Sequence, residues 1–451
     1  MSQTSNTPKK TKAVLVAVQL PGVSDAEHEG SLQELERLCT TLGFVTVGRV
    51  SQRRKSLRTG TILGEGKLKE LALWTGGTGI VTGFSKDGAG DDDDERMAPE
   101  PIDAPETKAT VVIFDHEMSP TQLSNLEDAT GVEVLDRSGV ILEIFSRHAR
   151  SREARLQVEI AKLAYLAPRL RASHVGGDRQ GGGIGAKGAG ESAHELDRRR
   201  IRDRIAELRG QLESIRHEQT TRRAQRSEAP CVALVGYTNA GKSSLMRALT
   251  GSEVLVEDKL FATLDTTVRA LQPETVPRIL VSDTVGFIKK LPHDLVASFR
   301  STLDEALNAS LLLFTVDGSD PNFRSQWEVT RTVLAEIGAE KTPSLLILNK
   351  VDQLQPEQQA ELAQEFPEAI FISTRNRDDI KRIRELILGH FETEMIDKSV
   401  LIPYTQGKVL GMIRERARVL QEKHEDEGTI VTIRATEDVH AWIEKQLNKD
   451  S

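Results

Sequence analysis

The residues best suited to chemistry form one short glycine-containing segment. Residues 236–243 read G-Y-T-N-A-G-K-S and fit the pattern G-x-x-x-x-G-K-[ST], which binds nucleotide phosphates. Its glycines let successive backbone N–H groups point at the phosphates, Lys242 offers a positive charge to the β- and γ-phosphates, and Ser243 offers a hydroxyl to Mg²⁺. An apolar run at 231–235 precedes the segment and a helical pattern at 244–249 follows it. The segment should therefore join a buried strand to a helix.

Three further motifs follow along the chain. Residues 349–352 read N-K-V-D, and the Asp352 carboxylate can accept hydrogen bonds from the N1–H and the amine of guanine, a donor pair that adenine lacks. Residues 283–286 read D-T-V-G, where Asp283 is expected to hold Mg²⁺ through water and the Gly286 N–H to meet the γ-phosphate. Residues 373–375 are expected to frame the guanine edge. Each motif follows an apolar run, and the order predicts a guanine-nucleotide-binding domain.

The predicted GTP contacts in these motifs are Gly236, Tyr237, Thr238, Asn239, Ala240, Gly241, Lys242, Ser243, Asp283, Thr284, Val285, Gly286, Asn349, Lys350, Val351, Asp352, Ser373, Thr374 and Arg375.

Length, charge and cysteine content indicate a multi-domain protein from a reducing compartment. The 451 residues exceed one typical domain, and the net charge is −8. The two cysteines, Cys39 and Cys231, form neither a disulfide framework nor a zinc motif, which fits a reducing compartment. No stretch is long and apolar enough for a membrane span or a signal segment. We expect a cytoplasmic protein that acts as a monomer.

The pattern of apolar runs predicts the fold class, an α/β protein of several domains. Apolar strands at 231–235, 279–283, 311–317, 344–349 and 369–373 alternate with helical patterns, which predicts a doubly wound, mostly parallel sheet for a GTPase domain at 229–395. A small α/β domain should precede it at 13–145, with strands at 13–18, 44–47 and 110–114. Residues 1–12 are polar and predicted to be disordered, as is an acidic insertion at 85–107.

Two further regions complete the organisation. Residues 396–451 should form a small α/β C-terminal domain, with a helix at 408–423, a strand at 429–433 and a helix at 439–447. The sequence pattern at 146–226 predicts a helical hairpin around a glycine-rich tip at 174–190. From 147 to 226 there are 19 Lys and Arg against 10 Asp and Glu, a local net charge of +9, which leaves −17 for the rest of the chain. Such separation favours an anionic partner.

The hairpin tip supports two interpretations. It is either a flexible linker or a probe that becomes ordered on a polyanion, with basic side chains on phosphates. The basic residues proposed for phosphate contact are Arg169, Arg171, Arg179 and Lys187.

Further recognisable segments lie at 136–145, 156–159, 165–170, 261–265, 283–288 and 291–296, in addition to the phosphate loop at 236–243. Through these residues the chain resembles the HflX family of ribosome-associated GTPases over nearly its whole length outside the acidic insertion. The resemblance implies a GTP hydrolase whose helical linker reaches toward the peptidyl-transferase centre. It implies GTP and GDP, the large ribosomal subunit and its rRNA as partners, and a role in splitting or rescuing stalled or idle ribosomes under stress.

The resemblance also supplies the first switch segment. Thr263 is implied to ligate Mg²⁺ together with Ser243 and Asp283, although Thr266 and Thr267 remain alternatives because the usual proline after 261–265 is missing. The GTP contacts added in this segment are Phe261, Ala262, Thr263, Leu264 and Asp265.

Slow intrinsic hydrolysis is expected because Phe287 occupies the position where many GTPases carry a water-orienting Gln. Either a K⁺ ion held by Asn239 or the ribosome must then assist the reaction. The residues proposed for catalysis are Lys242, Asn239, Thr263 and Gly286. The competing interpretation is a nucleotide-gated RNA-binding or scaffolding protein with incidental hydrolysis.

Overall fold

The structure is a computed structural model of the chain. Two compact units are present, and the boundary between them falls inside one long helix, between Ser214 and Ile215. All of the predicted tip at 174–190 and nearly all of the predicted insertion at 85–107 lie outside the described residues. The residues that the structure describes are 10–81, 107–169, 193–224, 229–252, 259–261, 266–290, 305–393 and 395–447.

A four-stranded parallel sheet lies at the centre of the first unit, in the strand order β2-β1-β3-β4. The strands are β1 (Lys12–Gln19), β2 (Val45–Arg53), β3 (Val111–Phe114) and β4 (Glu133–Asp136). The helices are α1 (Asp25–Thr41), α2 (Glu65–Thr75), α3 (Pro120–Thr130), α4 (Arg137–His148), α5 (Arg152–Leu166) and α6 (Ala193–Ala224), the last of which crosses the unit boundary.

Local sequence explains these elements. All of β3 and seven of the eight residues of β1 are buried, as expected for parallel strands covered on both sides. Ser24 and Ser119 begin α1 and α3 with reciprocal capping boxes. The three predicted strands are confirmed to within one residue at their starts. However, β1 begins at Lys12, inside the segment predicted to be disordered, and β2 continues through polar residues to Arg53.

Helices α5 and α6 confirm the two predicted arms of the helical hairpin. Arg204 on α6 donates to Glu159 Oε1 on α5 through Nε at 3.0 Å and Nη2 at 2.9 Å. Leu208 and Leu212 are buried, whereas Leu196 is 39% exposed. Of these three leucines of α6, only the two toward the middle of the helix are therefore buried.

Arg169, just after α5, has an internal role. Its Nη2 donates to Asp136 Oδ2 at 2.6 Å, and its guanidinium lies 3.2 Å from the centre of the Tyr165 ring. The Tyr165 hydroxyl donates to Asp136 Oδ1 at 2.7 Å, and Asp136 is fully buried. The prediction that Arg169 is available for phosphate is therefore wrong in this structure. The other three proposed phosphate contacts, at 171, 179 and 187, lie outside the described residues.

The second unit contains a six-stranded sheet in the order β10-β9-β8-β5-β7-β6, parallel except for the antiparallel pair of β6 and β7. This confirms the predicted mostly parallel, doubly wound sheet, although β6 was not predicted. The strands are β5 (Cys231–Val235), β6 (Thr267–Ala270), β7 (Leu280–Asp283), β8 (Leu311–Asp317), β9 (Ser344–Asn349) and β10 (Ile370–Phe371). The helices are α7 (Lys242–Thr250), α8 (Phe323–Ile337), α9 (Pro356–Glu365) and α10 (Arg377–Glu392).

An antiparallel sheet in the order β11-β13-β12 follows. The predicted helix at 408–423 is wrong beyond Arg416, because the chain there pairs with β13 as an edge strand instead. The elements are β11 (Ile396–Pro403), α11 (Gly407–Arg416), β12 (Arg418–Glu425), β13 (Gly428–Ala435) and α12 (Glu437–Leu447).

Among the described residues, no helix combines the length of a membrane span with a sufficiently apolar sequence.

Candidate nucleotide site

The predicted nucleotide motifs come together in one cleft at the carboxyl ends of β5, β7 and β9. This is the edge at which doubly wound sheets bind ligands. The cleft contains about 1020 Å³ of empty space, part of it open to solvent. Its lining comes from residues 238, 239, 241–244, 284, 286, 349, 350, 352, 353 and 373–375, together with Lys259 and Phe261.

The loop between β5 and α7 turns tightly at positions that only glycine can occupy. Gly236 has a φ of +151°, and a Cβ there would lie 2.1 Å from the backbone oxygen of Thr315. Gly241 has a φ of +96°, and its Cβ would lie 2.2 Å from Asn349 Nδ2. Helix α7 begins directly after Gly241, so its first N–H groups lie at the cleft lining, where the helix dipole favours an anion.

Lys242 is a buried cation at the start of α7. Its Nζ donates to the backbone oxygens of Gly236 at 3.0 Å and Tyr237 at 2.8 Å. Burial lowers the pKa of the ammonium to about 8, and the negative charge of Asp283 partly opposes this shift. The ammonium therefore loses its proton more readily than it would in water, and an anion in the cleft would favour the charged form.

The lowered pKa of Lys242 predicts a pH dependence of nucleotide binding. Between about pH 8 and pH 9 the empty site should lose a proton that phosphate binding restores. We expect GDP affinity, measured without Mg²⁺, to fall as pH rises through this window, with uptake of up to about one proton per nucleotide. Calorimetry in two buffers of different ionisation enthalpy measures this uptake. Lys242→Met should lose both affinity and pH dependence, and a flat profile for the unmodified protein would contradict the prediction.

Ser243 and Asp283 place two oxygen ligands side by side. The Ser243 hydroxyl donates to Asp283 Oδ2 at 2.7 Å, and Asp283 is buried at the end of β7. Mg²⁺ prefers such oxygens and usually takes only one or two from protein, with the remainder from water and phosphates. Over the described ranges, no three His, Cys, Asp or Glu side chains gather as a metal site. The pair thus fits a Mg²⁺ ion that binds together with a nucleotide.

The segment after β7 is bound to the phosphate loop through its backbone. Thr238 N–H donates to the oxygen of Phe287 at 2.8 Å, and Phe287 N–H donates to the oxygen of Gly236 at 3.1 Å. Lys289 N–H donates to the hydroxyl oxygen of Tyr237 at 2.6 Å. Phe287 itself is only 3% exposed. Its ring is a packed apolar group, which cannot orient a water molecule by hydrogen bonding.

Gly286 lies close to the phosphate loop as well. A Cβ at this position would meet Thr238 Cγ2 at 2.7 Å and Lys242 Nζ at 3.0 Å. Within the described structure, the hydroxyl oxygen of Thr238 is buried with no hydrogen-bond partner. Gly286 and Thr238 therefore lie in the part of the cleft that also contains Lys242.

Asn349 connects the two ends of the cleft. It is fully buried at the end of β9, its Nδ2 donates to the backbone oxygen of Ala240 at 2.8 Å, and its Oδ1 accepts the Thr374 N–H at 3.2 Å. A single amide side chain thereby links the phosphate loop to the loop at 373–375.

Asp352 lies in the cleft lining within a short 3-10 turn, Val351–Gln353. Its side chain is 34% exposed, and its Oδ2 lies 3.6 Å from Nη1 of Arg375, whose side chain is 82% exposed. This distance is an ion pair in solvent rather than a hydrogen bond. The carboxylate therefore keeps acceptor capacity for a ligand.

The first switch segment is only partly described. Phe261 lines the cleft with a buried side chain, and Thr267 begins β6 opposite Asp283 in the strand ladder. The predicted contacts Ala262, Thr263, Leu264 and Asp265 lie outside the described residues. Thr263 as a Mg²⁺ ligand therefore stays a prediction.

Two carboxylates beside the cleft were not predicted from the sequence. Asp379 Oδ2 accepts the Ser373 N–H at 2.8 Å and so fixes the loop at 373–375. Asp317, the last residue of β8, forms an ion pair with Lys350 at 2.7 Å. Asp379 lies in the first turn of α10, where acidic residues are common, so the sequence alone does not reveal its contact with Ser373. The only signal for Asp317 was its place at a strand end.

The chain is similar to known GTP-binding proteins in sequence. Three family models match: "50S ribosome-binding GTPase" at 231–350, "GTP-binding GTPase Middle Region" at 148–226, and "GTP-binding GTPase N-terminal" at 29–82 and 101–146. A solved structure of a GTP-binding protein from Sulfolobus solfataricus in complex with GDP is 22% identical, covers 84% of this chain and 99% of its own, and has a TM-score of 0.42.

Several curated relatives match over nearly their whole length. The protein named GTPase HflX of Gluconacetobacter diazotrophicus is 56% identical over 94% of this chain and 95% of its own. The proteins of the same name from Caldanaerobacter subterraneus and Escherichia coli are 38% and 35% identical, over 95% and 93% of this chain and 91% and 92% of theirs. At this identity and coverage, the chain belongs to the HflX family of GTPases.

Proposed function

We propose that this protein binds GTP with Mg²⁺ in the cleft described above, hydrolyses it, and uses the cycle to act on the large ribosomal subunit. The observation that carries the nucleotide part is the convergence of the phosphate loop and the Asn349–Asp352 segment in one cleft, with Asp283 bound to Ser243 of that loop. These groups match the charge and hydrogen-bonding pattern of a guanine nucleotide from one end to the other.

The phosphate end of the site would be bound by the loop at 236–243. The first N–H groups of α7 and the ammonium of Lys242 would stabilise the negative charge of the β- and γ-phosphates. Ser243 and Asp283 would hold Mg²⁺, which supplies charge neutralisation on the transferred phosphoryl group. The buried hydroxyl of Thr238 and the N–H of Gly286 are further donors for the γ-phosphate.

Asp352 would bind the guanine base of the nucleotide. Its carboxylate accepts two hydrogen bonds from guanine, and Arg375 beside it balances the charge. Asn349 holds the loop at 373–375 against the phosphate loop, so that both ends of the nucleotide meet a fixed frame.

Hydrolysis should be slow without help, because the buried Phe287 offers no group to position water. Asn239 has a φ of +62° in the phosphate loop and lines the cleft, a position from which its side chain can ligate a cation such as K⁺ beside the phosphates. The ribosome is the second candidate activator.

The large ribosomal subunit is the proposed partner. The matched family description at 231–350 names the 50S subunit, and residues 147–226 have a net charge of +9 in a chain of net charge −8. A basic hairpin is attracted to rRNA through its phosphates. We propose that the protein dissociates or rescues stalled or idle ribosomes in the cytoplasm under stress.

The test is GTP turnover with and without purified large ribosomal subunits, in K⁺ buffer and in Na⁺ buffer. We expect subunits to raise the rate about ten-fold or more. Dependence on K⁺ that is lost in Asn239→Ala would assign the cation to that residue. Turnover that subunits do not stimulate, together with RNA binding that ignores the nucleotide, would instead favour an RNA-binding scaffold with incidental hydrolysis.

A further inference from the structure

We infer that Asp317 is a positioning residue for the guanine end of the nucleotide site, and that it acts through Lys350. This inference rests on the proposed function and names a residue outside every predicted motif. Asp317 ends β8 and lies directly opposite Asn349 in the parallel ladder with β9. The sheet thereby brings its carboxylate to the start of the segment that contains Asp352.

The contact between the two side chains is short and largely shielded from solvent. Lys350 Nζ lies 2.7 Å from Asp317 Oδ2, and the two side chains are 23% and 16% exposed. Lys350 lines the cleft, and its ion pair with Asp317 fixes the position of its side chain. A charge pair at this burial is screened less than a surface pair, and loss of one partner leaves the other without compensation.

The carboxylate of Asp317 is itself fixed in place. Its Oδ1 accepts the N–H of Ser319 at 3.0 Å and the Ser319 hydroxyl at 2.5 Å. The next residue, Gly318, donates its N–H to the backbone oxygen of Asn349 at 2.9 Å. The ion pair therefore has one rigid partner, and Lys350 is the partner whose position is determined by it.

Lys350 needs such an anchor because its backbone is in an unfavourable conformation. Its φ is +63°, in the left-handed region that non-glycine residues rarely adopt, and it is the cap residue directly before the 3-10 turn Val351–Gln353. Asp352 is in the middle of this turn. Release of the Lys350 side chain would allow the turn to relax, and the Asp352 carboxylate would then be less well placed for the base.

The test is a double-mutant cycle read by GDP affinity. We expect Asp317→Asn to weaken GDP binding by about 5- to 15-fold, and Lys350→Met to weaken it by at least as much. The double variant should be no weaker than Lys350→Met alone, because Asp317 acts only through the lysine. The rate of hydrolysis at saturating GTP should change less than the affinity, since the Asp317 side chain contacts Lys350 and Ser319, which lie outside residues 236–243.

Glu365→Gln is the matched control. It also replaces a carboxylate by an amide in an ion pair, with Arg324, but outside the cleft lining, and GDP affinity should stay unchanged. GDP affinity of Asp317→Asn within two-fold of the unmodified protein, or losses that simply multiply in the double variant, would overturn the inference. Failure of the unmodified protein to bind GDP would instead overturn the proposed function, so the two failures are distinct.

Discussion

Replacement of Asp352 by Asn should change the base preference of the site from guanine toward xanthine. The variant keeps the shape of the side chain but loses the acceptor for the exocyclic amine of guanine. Each charge-assisted hydrogen bond is worth about 1.5–3 kcal/mol, so GTP affinity should fall by about 100-fold or more. Xanthine has an oxygen in place of that amine, and the new amide N–H can donate to it. Titration with labelled GDP and XDP measures both affinities.

The control for this change is Asp426→Asn, in the exposed turn between β12 and β13. It removes the same charge from the same unit and should leave both affinities unaltered. If Asp352→Asn retained the GTP preference of the unmodified protein, Asp352 would not read the base and the assignment of the guanine end would fail. If it bound neither nucleotide, folding would be checked by circular dichroism before any conclusion.

Gly236→Ala should be the most damaging small substitution in the second unit. The added Cβ would lie 2.1 Å from the backbone oxygen of Thr315, which belongs to the adjacent central strand β8 and cannot move aside without distorting the sheet. The φ of +151° adds backbone strain. We expect a loss of about 3 kcal/mol or more in the free energy of unfolding and no measurable GDP binding. Urea denaturation and nucleotide titration measure the two effects.

Gly389→Ala serves as the matched substitution. It lies exposed in α10, where an added Cβ meets nothing within 4 Å, so the same methyl group should raise the free energy of unfolding by about 0.5–1 kcal/mol. Equal behaviour of the two variants would show that glycine flexibility alone, and not the contact with Thr315, determines the effect at position 236.

The sequence predicted five of the six strands of the mostly parallel sheet in the second unit. Strands β5, β8 and β9 are apolar runs bounded by turn residues, and the motifs follow them because ligand loops occupy the carboxyl ends of such strands. The predicted positions of β8 and β9 agree with the structure residue for residue. The cleft therefore followed from local pattern alone, apart from the segment around Thr263 that is not described.

The errors arose where tertiary context overrides local preference. Residues 418–425 read R-V-L-Q-E-K-H-E, a composition typical of an exposed helix, yet they pair with β13 at the edge of a sheet. The antiparallel strand β6 carries no apolar run and is stabilised by its pairing with β7. Likewise, the roles of Asp317 and Arg169 depend on partners brought close by folding, at Lys350 and Asp136, and no spacing in the chain reveals such pairs.

The two hydrogen bonds of Asn349 connect the base end of the cleft to the phosphate end, so that binding at one end would favour binding at the other. Its amide contacts the backbone oxygen of Ala240 in the phosphate loop and the N–H of Thr374 beside the base. A purine that orders the second contact lowers the entropic cost of ordering the first, so that nucleoside and diphosphate fragments would bind with positive cooperativity. Part of the proposed selectivity for guanine would then be expressed at the phosphates, at a distance from the base itself.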